Sequence, residues 1–81
     1  MITLRQVDAF RAVMVTGTIT GAAEMMNISQ PAVTRLIQEL EGALGFYLFA
    51  RQGRQIVPTV ESRMFFDCTP SAEVGQKSLI A

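Results

Sequence analysis

Residues 18–45 read TITGAAEMMNISQPAVTRLIQELEGALG, and the order of small, polar and apolar positions in this stretch decides the fold. Gly21, Ala22 and Ala23 give a short helix over 19–26 a surface that a neighbouring backbone can approach closely. Asn27 tolerates the left-handed conformation that ends a helix. Ser29 then suits the N-cap of a longer helix over 30–44, with Pro31 in its first turn, where the missing N–H costs nothing. With Val33 at zero and a rotation of about 100° per residue, Leu36, Ile37, Leu40 and Leu44 fall within about 60° of it. The far side, near roughly 150°, carries Pro31, Thr34, Arg35, Gln38 and Gly42. This helix therefore buries one apolar stripe and turns hydroxyl, guanidinium and amide groups outward.

The flanks extend the pattern. Leu4, Val7, Phe10 and Met14 recur at helical spacing with Arg5, Gln6, Asp8 and Arg11 between them, predicting an amphipathic helix over 4–16 that stops at Gly17. Thr18 or Thr20 can cap the next helix. Beyond Gly45, two short β-prone runs surround Arg51-Gln52-Gly53-Arg54 and predict a hairpin at about 47–57. Pro58 and Thr59 mark a new start, and Val60 to Phe66 predict a fourth helix beginning near 59, which Pro70 must end or kink. Residues 71–81 have little periodicity and read as an irregular tail. The expected core is Leu4, Phe10, Val33, Leu36, Ile37, Leu40 and Leu48.

Composition removes several function classes. The 81 residues are 49% hydrophobic and 17% charged, which excludes a polyelectrolyte or disordered chain. The single cysteine, Cys68, rules out an intrachain disulfide. There is no histidine, so zinc sites and His-dependent nucleophile–base pairs lose their usual members. Glu39 and Glu41, two apart on a helix, point in different directions and do not make a catalytic pair. The reading is of a chain that is not an enzyme and has no catalytic residue, metal or cofactor. The longest apolar or glycine stretch, Ala43 to Ala50, is too short to span a bilayer, and the N-terminus does not read as a signal peptide. A cytoplasmic binding module is the surviving class.

A short helix, a three-residue turn and a longer helix make a helix-turn-helix, although a three-helix bundle with a tight corner has the same periodicity. The outward face of the third helix favours the former. Arg reaches guanine O6 and N7, Gln pairs with adenine N6 and N7, and Thr offers its methyl to thymine.

Thr18-x-Thr20-x-Ala22-Ala23, Ser29-Gln30-Pro31-Ala32-Val33-Thr34-Arg35, Leu40-Glu41, Leu44-Gly45 and Leu48-Phe49-x-Arg51 together resemble the N-terminal domain of LysR-type bacterial transcriptional regulators. The match runs from about residue 3 to 59, in order and without gaps. Within that family, residues 4–14 look most like regulators of opine and amino-acid catabolism. The resemblance implies a mainly α winged helix-turn-helix, a three-helix core plus a short β-hairpin wing, over residues 1–58. The start of a linker helix and an irregular tail would occupy 59–81. It also implies a homodimer on double-stranded DNA, with an effector domain that these residues do not include, so no effector ligand is expected to bind this chain. Pro58-Thr59-Val60-Glu61-Ser62 departs from the family's usual entry to the linker helix, and the likeness ends near Asp67.

On this reading Gln30, Pro31, Thr34 and Arg35 meet base edges. Thr18, Ser29, Gln38, Arg51 and Arg54 meet the DNA backbone, and Val60, Met64 and Phe65 form the dimer interface. A chain with seven basic and seven acidic residues offers little net attraction to phosphate, so modest non-specific affinity and a strong dependence on dimerisation are expected. The rival reading is a truncated, non-regulatory remnant that acts by pairing with relatives.

Overall fold

The computed structural model describes residues 1–53 and 55–69. Arg54, Pro70 and the tail expected to be irregular lie outside the described residues. Four helices and one hairpin follow in the order α1 (Leu4–Thr16), α2 (Ile19–Met26), α3 (Gln30–Leu44), β1 (Phe49–Gln52), β2 (Gln55–Pro58) and α4 (Val60–Cys68). The helices begin where a hydroxyl can take an otherwise unpartnered amide. Thr3, Thr18, Ser29 and Thr59 accept the backbone N–H of Gln6, Gly21, Ala32 and Ser62. Gln6 completes a capping box by accepting the Thr3 N–H at 3.0 Å. Helices α1, α2 and α3 end on left-handed residues: Gly17 at φ 83°, Asn27 at φ 59° and Gly45 at φ 84°.

The first three helices pack around Phe10, Val13, Val33 and Leu40, with Leu48 from the approach to β1 closing the core. Phe10 is the meeting point of the chain's later elements. Its ring centroid lies 5.8 Å from Phe49, 5.2 Å from Phe65 and 6.1 Å from Phe66, so one side chain of α1 touches the wing and α4 together. The strands pair antiparallel in the register Phe49↔Pro58, Ala50↔Val57, Arg51↔Ile56 and Gln52↔Gln55. Pro58, which has no N–H to give, stands at the end of that ladder.

Three expectations need correction. Leu4 is 75% exposed, not core. The buried side of α1 is Gln6, Ala9, Phe10, Ala12 and Val13, and Leu4 lies about 180° around the axis from Val13. Ala9 and Ala12 share the core with Ala22 and Ala23 of α2. Small side chains let the two helices come close, and α1 is turned so that Val13 as well as Phe10 faces the core while Leu4 and Val15 face outward. Leu36, at the margin of the α3 stripe, is only half-buried. The hairpin spans Phe49 to Pro58 instead of about 47–57, with Phe49 and Pro58 as its first pair.

Candidate nucleic-acid interface

The outward side of α3 forms one wall of a shallow groove. Gln30, Pro31, Thr34, Arg35 and Gln38 line it together with Ile19 of α2 and Arg51 of β1. A second depression continues it along Gly17, Thr18, Ile19, Thr20, Arg51, Gln55 and Ile56. Ile19 and Arg51 belong to both, so the start of α2, the face of α3 and the wing make one concave surface. Ser29 borders a third hollow that shares Thr20 and Gln30.

The structure thus brings together Thr18, Gln30, Pro31, Thr34, Arg35, Gln38 and Arg51. Ser29 adjoins them, and Arg54 lies outside the described residues. Thr34 is half-buried, while the other described members are exposed.

Local folding prepares these groups. Thr18 Oγ1 accepts the Gly21 N–H at 2.8 Å and Ser29 Oγ accepts the Ala32 N–H at 3.2 Å. Each cap uses only the oxygen as an acceptor, which leaves the hydroxyl hydrogen available to an anionic oxygen. The amino end of α3, with its partial positive charge, opens on the same side.

The charge arrangement answers the neutrality of the chain. Arg35 and Arg51 line the two main depressions, and among the described residues no carboxylate does. The acids of α3 have other partners. Glu39 accepts from Gln6 Nε2 of α1 at 3.4 Å, a long bond. Glu41 Oε2 accepts the backbone N–H groups of Leu48 at 2.8 Å and Phe49 at 3.3 Å. Both acids are thus held off the grooved face by the residues they bind.

The residues expected to pair two copies lie apart from this surface. Val60 and Met64 of α4 are 74% and 66% exposed. Phe65 is half-buried, with its ring against Phe10. Among the described residues no helix is long and apolar enough to cross a membrane.

Two residues whose contacts tie distant parts of the fold together escaped the sequence reading. Glu41 was legible only as a negative charge at the margin of α3. Arg11 looked like an ordinary solvent-side cation of α1. In fact its Nη1 donates to Phe66 O, Thr69 O and Thr69 Oγ1 at 3.2, 2.9 and 2.6 Å, and its guanidinium lies 4.3 Å from the Phe66 ring centroid. Their partners lie across the fold, and no local pattern of spacing announces them.

The sequence pattern of the family described as "Bacterial regulatory helix-turn-helix protein, lysR family" matches residues 4–63. The chain belongs to that family. It is 50% identical over 72 residues to the octopine catabolism/uptake operon regulatory protein OccR of Rhizobium meliloti, covering 89% of this chain and 24% of the relative. The LysR-family chain therefore spans about a quarter of the length of the curated relatives it matches. Its fold is similar to the CbnR_DBD–DNA complex, with TM-score 0.77 and 36% identity over 82% of this chain and 76% of the other. The BenM_DBD/benA site 1 DNA complex gives TM-score 0.80 and 31% identity over 96% and 88%. The architecture is the winged helix-turn-helix of LysR-type DNA-binding domains.

Proposed function

We propose that this LysR-family chain is a sequence-specific DNA-binding module that places α3 in the major groove of double-stranded DNA and acts in the bacterial cytoplasm. Gln30, Pro31, Thr34 and Arg35 read base edges, and Thr18, Ser29, Gln38, Arg51 and Arg54 hold the backbone. The observation that carries this reading is the groove, free of carboxylates among the described residues, in which the amide, hydroxyl and guanidinium groups of α3 stand beside the arginine of the wing. Such groups match base edges and phosphates in chemistry and in sign. The two structural relatives, each a complex with DNA, support the same partner. Identity to OccR supports a place among regulators of opine or amino-acid catabolism.

Two copies act together through Val60 and Met64, one helical turn apart on α4, with Phe65 bordering them. Large exposed apolar side chains on so short a helix favour a partner. Pairing sets two recognition helices on one duplex at a spacing of a turn or more. Nothing in the geometry favours the interaction-remnant reading.

Selection from a pool of random duplexes with the purified chain tests the proposal. A recurrent sequence should be enriched, and it should bind more tightly than a scrambled duplex at equal salt. Absence of enrichment at low salt overturns sequence-specific recognition.

A further inference from the structure

We propose that Glu41 is a positioning residue for DNA binding, fixing where the wing leaves α3 and so where Arg51 stands beside the helix that reads bases. This inference rests on the DNA-binding reading above. Glu41 lies in the last turn of α3, and Gly45, Phe46 and Tyr47 lead from that helix to Leu48. A single carboxylate oxygen takes the amides of both Leu48 and Phe49. Charge-assisted bonds of this kind are roughly twice as strong as neutral ones.

Leu48 is fully buried, and its carbonyl accepts the Thr59 N–H at 3.0 Å, so the root of the hairpin is held at both of its strands. Past Phe49, β1 is held through its partner strand, where Ile56, paired with Arg51, packs against the core. Ala50, Arg51 and Gln52 are all exposed. The direction in which β1 carries Arg51 is set by the Glu41 carboxylate and the Phe49 ring at its root, together with Ile56 across the ladder. Arg51 stands two residues beyond Phe49, on the same side of the strand.

Three substitutions separate positioning from charge. Glu41→Gln keeps an oxygen that can accept both amides, Glu41→Leu keeps none, and Glu41→Asp keeps the charge but shortens the reach. If Glu41 merely repelled phosphate, Gln and Leu would both tighten binding. Positioning instead sets Leu and Asp apart from Gln.

Affinity for the selected duplex and for a scrambled one is measured across a salt series, beside Arg51→Ala. Glu41→Leu and Glu41→Asp should each lower the salt slope by about one, as losing a phosphate contact does, with the ratio of specific to random affinity kept. Glu41→Gln should hold the wild-type slope. Adding Arg51→Ala to Glu41→Leu should produce no further loss of slope. If Glu41→Leu does not fold, judged by its helical circular dichroism, the Asp and Gln pair decides alone. A wild-type slope in Leu or Asp, while Arg51→Ala lowers it, overturns the role of Glu41 and leaves the DNA reading intact. An unchanged slope in Arg51→Ala overturns the wing contact and the inference with it.

Discussion

Arg11 on α1 donates to both the carbonyl and the hydroxyl of Thr69, at 2.9 and 2.6 Å, and thereby ties the first helix to the last described residue. The same nitrogen reaches Phe66 O, so the end of α4 is closed by a side chain from the opposite end of the sequence. Carbonyls at a helix end have no partner within the helix, and a cation there also meets the negative end of the dipole.

Arg11→Ala should therefore destabilise the chain by about 2 kcal/mol, in the range for hydrogen bonds to charged groups. Arg11→Lys should recover only part of this, because an ammonium lacks the planar fork and stacks less well on Phe66. Urea unfolding followed by helical circular dichroism measures both. An unchanged midpoint in Arg11→Ala would mean that the clamp contributes nothing to stability.

Two glycines should respond oppositely to alanine. A Cβ on Gly21 would stand 2.7 Å from Thr16 Cβ and 2.9 Å from Thr18 Oγ1, at the corner where α1 meets α2. Overpacking there should cost about 1–3 kcal/mol. Gly42 has nothing within 4 Å of its added Cβ and lies inside α3. Gly42→Ala should stabilise by about 0.5–1 kcal/mol. Thermal melts of the two variants give the signs directly.

Arg35→Ala should weaken binding to the selected duplex by about 1–3 kcal/mol, the value of a good bidentate base contact, with little change on scrambled DNA. Arg51→Ala should weaken both duplexes alike. Competition titrations at fixed salt distinguish the two patterns. Equal loss on both duplexes in Arg35→Ala would show that this side chain reads no base.

Met64→Asp should shift the chain toward monomer, since it sets a charge on the exposed apolar face of α4. Light scattering over a concentration series follows the change. A dimer that survives the substitution would place the interface elsewhere.

The helices were legible because their signals are local. Thr18, Ser29 and Thr59 cap, Gly17, Asn27 and Gly45 stop, and the α3 stripe has a clean period. The grooved face was legible for the same reason, since one helix carries Gln30, Pro31, Thr34, Arg35 and Gln38 on one side. The orientation of α1 was not. Phe10 of the expected stripe is buried, yet contact between alanines of different helices turns the buried side toward Ala9 and Val13, and Leu4 is left in solvent. Arg11 and Glu41 were illegible because a charged side chain that caps a distant backbone has the same local sequence as one in water.

The convergence of Phe49, Phe65 and Phe66 on Phe10 has a consequence for how the molecule comes apart. A hairpin this short is marginal by itself, so its survival depends on the ring it shares with α1. The base of the hairpin and α4 cannot open without exposing the centre of the core. Hydrogen exchange at Leu48, Phe65 and Val13 should then report one opening free energy, with the three segments behaving as a single cooperative unit.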